Sequence, residues 1–152
     1  MGIRLAAISD LDIVIKITNE TISEIYPHYY PDGAVKFFVN HHNHANIISD
    51  IINNSVFLCI DSEDNIVGTV TINKNEILRL FVLPMYQGYG YGRELLDYAE
   101  NAISIKYPEI KIAASLPAKS IYLKRGYKET EYHIIKTVNN DFLCYDVMTK
   151  QV

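Results

Sequence analysis

Hydrophobic and polar residues follow two different periods along this chain, and the two periods predict a set of strands and helices. Compact runs of aliphatic and β-branched residues are typical of buried strands, whereas apolar residues three or four positions apart are typical of a helix that buries one face. The strand pattern covers residues 3–8, 56–60, 66–72, 77–83, 110–114, 127–138 and 142–149. The helical pattern covers residues 10–26, 34–42, 45–53, 91–106 and 118–124.

Turn-forming residues separate these elements. Pro27 and Pro31 interrupt the chain after the first helix, Pro108 ends the longest later helix, and residues 139–141 join the last two strands as a hairpin. The resulting order is β-α-α-β-β-β-α-β-α-β-β. That order predicts an α/β (α+β) fold, in which a mixed sheet carries helices on both faces. At 152 residues, the chain is expected to form a single domain spanning residues 1–152.

Composition and charge exclude several classes of protein. No apolar run approaches the roughly 20 residues of a membrane helix, and Asp10 and Asp12 interrupt the N-terminal apolar stretch that a signal peptide would need. Cys59 and Cys144 fall in predicted strands, where they are expected to be reduced and buried. A net charge of −4 offers no basic surface for nucleic acid. We therefore expect a cytoplasmic protein that binds neither a membrane nor a nucleic acid.

A glycine-rich loop lies between one predicted strand and the helix that follows it. Pro84 ends the strand, glycines then stand at positions 88, 90 and 92, and a helical pattern begins at once. Free N–H groups in the first helical turn favour an anion, and glycine lets a ligand approach the backbone closely. A P-loop is excluded because Arg93 follows Gly92, and the spacing G-x-G-x-G is not a dinucleotide fingerprint. A tight structural turn without a ligand is the alternative.

Two motifs resemble the GNAT superfamily of acetyl-CoA-dependent N-acetyltransferases. The first is Gln-x-x-Gly-x-Gly at Gln87, Gly90 and Gly92, directly after Val82-Leu83-Pro84, and the second is residues 118–122 (Ala-Lys-Ser-Ile-Tyr) followed by Gly126-Tyr127. The resemblance extends over nearly the whole chain. It implies a mixed, mostly antiparallel sheet of about seven strands, with the pantetheine of acetyl-CoA between the fourth and fifth. It also implies direct acetyl transfer to an amine, with no metal and no covalent acyl-enzyme.

The same resemblance assigns residues to the co-substrate acetyl-CoA. The backbone of the glycine loop would hold the pyrophosphate, and one N–H group, that of Val82, would face the thioester oxygen. Arg93 either adds charge there or is a solvated residue of the first turn. Ser115 stands where many relatives have asparagine, so its contact is expected to be shorter. The implied acetyl-CoA residues are Phe81, Val82, Gln87, Gly88, Tyr89, Gly90, Tyr91, Gly92, Arg93, Ser115 and Tyr122.

The predicted catalytic residues are Tyr122 and Glu76. Tyr122 matches the tyrosine that commonly serves as general acid in the family, and a phenol with a pKa near 10 can donate to a leaving thiolate; a plain packing role is the alternative. Relatives often place a glutamate base at the position of Arg79, which cannot accept a proton. Glu76 is the one carboxylate on that strand. A water chain or another tyrosine could act as the base instead.

The acceptor end is expected to include Tyr26, Tyr29, Tyr30 and His133. With Glu24 and Asp32 as an acidic rim, these aromatic residues would suit a cationic amine; a tyrosine-rich loop packed on the sheet is the alternative. The histidines at 41, 42 and 44 do not have the spacing of a metal site and are better explained as a polar helix end or as contacts to a substrate.

Two other functions remain open from the sequence. One is a non-catalytic acyl-CoA-binding sensor or scaffold, which the departures at Arg79 and Ser115 favour. The other is a nucleotide-phosphate binder that uses the glycine loop. The acceptor, a small-molecule amine or a peptide or protein amine, is not identified. Many relatives dimerise, so a homodimer is expected by analogy.

Overall fold

Seven strands form one open sheet in the computed structural model, which describes residues 2–152. Their order across the sheet is β1-β2-β3-β4-β5-β7-β6, and every neighbouring pair is antiparallel except β4 and β5. This arrangement confirms the predicted fold class. The strands are β1 (Gly2–Leu5), β2 (Val56–Ile60), β3 (Ile66–Asn73), β4 (Glu76–Val82), β5 (Glu109–Ala114), β6 (Lys128–Lys136) and β7 (Phe142–Gln151).

Five α-helices connect the strands within the described residues. They are α1 (Leu11–Ile25), α2 (Asp32–His41), α3 (His44–Ile52), α4 (Tyr91–Ser104) and α5 (Leu116–Lys124). The first strand is shorter than the pattern predicted, because Asp10 accepts a hydrogen bond from the Ala7 N–H (2.8 Å) and pairs with Arg4, which bends the chain into α1. Within residues 2–152, no helix combines the length and the apolar character needed to cross a membrane.

The parallel pair β4–β5 opens after only two residues. Glu76 lies opposite Lys111 and Ile77 opposite Ile112, and the pairing ends there. Strand β5 continues alongside β7 as far as Ala114, so β4 and β5 diverge towards their C-terminal ends. The unpaired inner edges of these two strands therefore face an open, wedge-shaped space in the middle of the sheet.

A β-bulge bends β4 where it leaves β5. Thr69 of β3 lies opposite Phe81, and Thr71 lies opposite Leu78. Two residues of β4, Arg79 and Leu80, therefore lie across from one residue of β3, Val70. Arg79 has a φ of 43°, in the left-handed region that few side chains adopt. Since a bulge increases the local twist and redirects side chains, it turns the end of β4 away from β5.

Hydrophobic side chains cover both faces of the sheet. On one face, Leu95, Ala99 and Ile103 of α4 pack against the strands with almost no exposure. On the other, Ile17 and Ile22 of α1 pack with residues of α2 and β7. The two helical layers fix the positions of the β4 and β5 edges between them.

Glu100 joins three elements on the α4 face through one buried carboxylate. It accepts hydrogen bonds from Arg125 Nη2 at 2.7 Å, Lys150 Nζ at 3.1 Å and the Tyr127 hydroxyl at 3.1 Å. Burial alone would raise the pKa of Glu100, but the hydrogen bonds from Arg125 and Lys150 outweigh it and hold that pKa below its usual range. The carboxylate therefore ties α4 to the end of α5 and to β7.

Replacing Glu100 by glutamine should destabilise the fold in a pH-dependent way. A folded-state pKa below the unfolded value of about 4.3 means that the stabilisation is complete above that pH and is lost as pH falls through the lower pKa. We expect Glu100→Gln to lower the free energy of unfolding by about 1–2 kcal/mol near pH 7 and by less near pH 3, measured by urea denaturation. Glu20→Gln, at an exposed i,i+4 pair with Lys16, is the control. An equal loss at both pH values would contradict the assignment.

Candidate active site

The wedge between β4 and β5 contains a cavity of about 230 Å³, here called the cleft. Its walls combine the diverging strand ends with side chains from α2, α5 and the β6–β7 hairpin. They include residues 78–81 of β4, residues 113–115 at the end of β5, and Tyr26, Phe38, His42, Tyr122, Ile135 and Leu143. The cleft is therefore a mainly aromatic and aliphatic slot with few polar groups.

The end of β4 presents backbone groups to this cleft. The Leu83 N–H donates to Val67 O of β3 at 2.9 Å. Successive N–H groups alternate in direction along a strand, so the Val82 N–H points away from β3, towards the side that β5 has left. The Val82 carbonyl is held by Gln87 Nε2 at 2.9 Å and by the Thr21 hydroxyl at 3.3 Å. The Gln87 side chain thus fixes the strand end from within the glycine loop.

The glycine loop follows directly and begins α4. Gly88 and Gly90 have φ values of 86° and 97°, which L residues adopt only with strain. Gly90 is the N-cap of α4 and supplies no side-chain cap, so the N–H groups of the first turn are left for another partner. Gly92 needs no unusual φ, and a Cβ built there would meet only Val82 Cγ2 at 3.8 Å. The protein itself leaves room for a side chain at this position.

Tyr122 of α5 lines the cleft from the β5 side. Its side chain is 6% exposed and its ring packs on Tyr127, with centroids 5.7 Å apart. Burial, together with nearby Tyr26, raises the pKa of Tyr122 well above the usual value for a phenol. The hydroxyl therefore stays protonated across the physiological range and can act only as a hydrogen-bond donor or weak acid there.

Tyr26 and Tyr30 connect the first helical segment to the start of α5. The Tyr30 hydroxyl accepts a hydrogen bond from the Leu116 N–H at 2.7 Å, which satisfies a first-turn donor of α5. Burial raises the pKa of Tyr26 to about 12, and the adjacent Ser115 hydroxyl partly opposes this. Tyr26 and Ser115 both line the cleft. The Tyr30 contact is structural, and the sequence offered no signal for it because it joins residues far apart in the chain.

Arg79, expected from the sequence only to be unable to act as the base, and His42, expected to belong to a polar helix end or to contact a substrate, both line the cleft. Arg79 forms an ion pair with Asp50 of α3, and burial lowers the pKa of this arginine to about 10. Burial, aided by the charges of Arg79 and His41, lowers the pKa of His42 to about 3. The His42 ring lies edge-on to Phe81, with centroids 5.8 Å apart, and its Nδ1 is buried without a hydrogen-bond partner among residues 2–152. His42 is therefore a neutral polar group in the cleft wall.

Other predicted site residues lie away from Tyr122. Glu76 is exposed at the closed end of the β4–β5 pair, whereas Tyr122 lines the open end, so the structure does not bring the two together. Tyr29 is 51% exposed and lies outside the cleft lining. His133 stacks on Tyr145 at 5.1 Å and contacts Glu131, and only Tyr145 reaches the cleft. The structure thus gives no support to Glu76 as the base.

The expected acidic rim also differs from what lines the cleft. Glu24 and Asp32 lie outside the lining, and the ionisable groups that line it are tyrosines, two histidines and Arg79. No group of three or more histidine, cysteine, aspartate or glutamate side chains converges as a metal site within residues 2–152.

Comparison with known proteins first shows that this fold is shared with solved structures of N-acetyltransferases. A structure of a GCN5-related N-acetyltransferase from Rhodopseudomonas palustris superposes with a TM-score of 0.88 at 19% identity, covering 99% of this chain and 95% of that one. The PaiA N-acetyltransferase of Thermoplasma acidophilum, solved in complex with coenzyme A, superposes with a TM-score of 0.74 at 22% identity, covering 99% and 98%.

The family follows from the sequence match. A family model described as an acetyltransferase (GNAT) domain matches residues 25–141, and the chain belongs to that family. An N-alpha-acetyltransferase from Sulfolobus acidocaldarius is 26% identical over 151 residues, covering 85% of this chain and 80% of that protein. One from Sulfurisphaera tokodaii is 25% identical, covering 85% and 81%. The protein is thus a GNAT N-acetyltransferase, an acyltransferase that uses acetyl-CoA, rather than a non-catalytic binding module.

Proposed function

We propose that this enzyme transfers the acetyl group of acetyl-CoA directly to the α-amino group of a peptide or protein N-terminus. The observation that carries the proposal is the chemistry of the cleft: Tyr26 and Tyr122 stay protonated, His42 is neutral, and Arg79, the arginine in the lining, is paired with Asp50. The relatives from Sulfolobus acidocaldarius and Sulfurisphaera tokodaii are N-alpha-acetyltransferases, which agrees with an α-amine acceptor.

The proposed acetyl-CoA site combines the glycine loop with the inner edge of β4. The first-turn N–H groups of α4 are suited to the pyrophosphate, since an uncapped helix start favours an anion. Backbone groups of Phe81 and Val82 would pair with the pantetheine where β5 has diverged. Gly92 fits this scheme because no contact within the protein requires glycine at that position. Arg93, exposed in the first turn, would add charge near the phosphates.

The proposed chemistry uses two groups at the open end of the cleft. The Val82 N–H donates to the thioester oxygen as charge builds on it, which is worth on the order of 3 kcal/mol in the barrier. The Tyr122 hydroxyl donates to the departing sulfur. Complete transfer of the Tyr122 proton to a thiolate whose thiol has a pKa near 8.5 is uphill, so the main contribution of Tyr122 is a hydrogen bond that stabilises the developing negative charge.

Direct transfer is favoured by the state of the buried thiol. Cys59 lies on the α4 side of the sheet, and burial together with nearby Glu94 raises the pKa of its thiol to about 11. A protonated thiol is a poor nucleophile. Neither Cys59 nor Cys144 lines the cleft, so the amine itself attacks the thioester in this proposal: the C–N bond forms, the C–S bond breaks, and the proton that the amine loses ends on the departing sulfur as the coenzyme A thiol.

An α-amine suits this cleft better than a lysine side chain. At pH 7 roughly a tenth of an α-amine with a pKa near 7.8 is already neutral, compared with less than a thousandth of a lysine with a pKa near 10.4. Tyr26 and Tyr122 stay protonated. The His42 pKa of about 3 keeps that ring neutral at pH 7, so it does not take up a second proton there. An acceptor amine that is already partly neutral requires the least proton removal by these side chains.

The test compares two peptides of one sequence that contains a single lysine. One peptide has a free N-terminus and the other has a formyl-blocked N-terminus, and acetylation is followed by thiol release and located by mass spectrometry. We expect acetylation at the free α-amine, with kcat/KM rising about tenfold per pH unit below the acceptor pKa and levelling above it. Preferential acetylation of the lysine in both peptides would overturn the α-amine assignment.

A further inference from the structure

A second cavity of about 420 Å³ lies next to the cleft, between α2 and the end of β6. It is here called the side pocket. Phe37 and His41 line both the side pocket and the cleft, so the two spaces adjoin across these residues. The two rings are stacked, with centroids 5.8 Å apart and planes 8° from parallel. The side pocket therefore adjoins the cleft at this stacked pair.

Two lysines approach the side pocket from opposite walls. Lys36 lies on α2 and Lys136 is the last residue of β6, and both line the pocket. The lysine ion pairs found within residues 2–152 involve other lysines, so these two exposed side chains at the pocket wall have no paired carboxylate. Two like charges on one cavity favour an anion between them.

A buried hydroxyl in the same wall also lacks a partner. Thr137 Oγ1 is buried and has no hydrogen bond within residues 2–152. The nearby acidic side chain, Asp141, is already engaged, because its Oδ2 accepts the Gly33 N–H at 2.7 Å where the hairpin packs on α2. The absent Cβ of Gly33 permits that contact, since a Cβ there would come within 2.2 Å of Val138 O. The unpaired Thr137 hydroxyl is thus buried behind the pocket wall beside Gly33, which leaves the two lysines as the charged groups of the wall.

We propose that the side pocket is a subsite for a carboxylate of the acceptor, so that the enzyme prefers N-termini followed within a few residues by aspartate or glutamate. The inference rests on the proposed α-amine acetylation. It goes further by defining the acceptor as acidic. Lys36 and Lys136 supply the charge, and Asn40 adds an amide at the pocket wall.

The test is a series of peptides with one free N-terminus and a single variable charge. Glutamate, glutamine or lysine is placed at the second, third or fourth residue, and kcat/KM is measured for each peptide. We expect a glutamate peptide to exceed its glutamine counterpart about fivefold at low salt, with the ratio falling towards one in 0.5 M NaCl because screening weakens the contact. Equal rates for all peptides at low salt would overturn the inference but leave the α-amine proposal intact.

A variant with reversed charge at both lysines provides the second test of the inference. The variant Lys36→Glu with Lys136→Glu should reverse the order, so that the lysine peptide becomes better than the glutamate peptide. Lys106→Glu, an exposed lysine after α4 and outside both cavities, is the matched control and should keep the wild-type order. An unchanged glutamate preference in the double variant would overturn the inference. If no peptide is acetylated although acetyl-CoA binds, the α-amine proposal fails and the inference falls with it.

Discussion

Replacing Tyr122 by phenylalanine is expected to lower kcat about a hundredfold and to leave the affinity for acetyl-CoA within about twofold. The substitution removes one hydroxyl from a ring that is buried on Tyr127, so the packing of α5 is retained. What is lost is the donor proposed for the departing sulfur. Loss of one hydrogen-bond donor to a developing negative charge costs about 10²–10³ in kcat, and the raised pKa of Tyr122, which makes the hydroxyl a weaker donor, puts the expected loss at the low end of that range.

Steady-state kinetics and calorimetric titration separate the two effects of this substitution. The matched control is Tyr98→Phe, because Tyr98 lies on α4, where its ring packs on Phe57 at 5.0 Å and takes no part in the cleft. Its kcat should stay at the wild-type value. If Tyr122→Phe also keeps the wild-type kcat, Tyr122 is a packing residue and another group must assist the leaving thiolate.

The sequence predicted those parts of the fold that local chemistry determines. Strand β4, the glycine loop and α4 were readable because proline, glycine and a one-sided apolar pattern each restrict the backbone at their own position. The order of such elements predicted a mixed sheet with helices on both faces, whereas its mostly antiparallel arrangement of about seven strands was implied by the resemblance to the GNAT superfamily. The end of β1 was less predictable, since the Asp10 contacts that bend the chain there are side-chain interactions rather than a feature of the apolar pattern.

The polar lining of the cleft could not be predicted in the same way. The pairing of Arg79 with Asp50 depends on how α3 packs against the bulge in β4, and no spacing in the sequence encodes it. His42 belonged to a histidine cluster that looked like a polar helix end. Its burial results from packing against Phe81, a tertiary contact that the sequence pattern does not encode. Residues that act through tertiary contacts are thus the ones that local patterns miss.

The charge of the acceptor side also could not be predicted from local patterns, and the structure shows the opposite sign to the one expected. Glu24 and Asp32 suggested an acidic rim because they precede and follow the tyrosine-rich segment in sequence. In the fold, the cavity beside the cleft is lined instead by Lys36 and Lys136, which lie a hundred positions apart in the chain and meet through the packing of the hairpin on α2. Their juxtaposition changes the expected acceptor from a cationic amine to an N-terminus near an acidic residue.

The second large effect is expected at Gly92, where alanine should raise the Kd for acetyl-CoA tenfold or more, a loss of about 1.4 kcal/mol. A Cβ at this position meets only Val82 Cγ2, at an ordinary contact distance of 3.8 Å, so the free protein accommodates it. Alanine is also the better helix former, by up to about 1 kcal/mol. The melting temperature should therefore stay the same or rise while binding weakens.

Weaker acetyl-CoA binding with an unchanged or higher melting temperature distinguishes a glycine that a ligand requires from a glycine that the fold requires. Gly90, with a φ of 97°, should lose stability as well as affinity when replaced by alanine, because the left-handed conformation strains any L residue. Gly2→Ala, in an open position on β1, is the neutral control. Thermal unfolding and calorimetric titration of acetyl-CoA measure both quantities on each variant. Unchanged acetyl-CoA binding in Gly92→Ala would mean that the start of α4 does not contact the co-substrate, and the pyrophosphate would then have to be bound elsewhere.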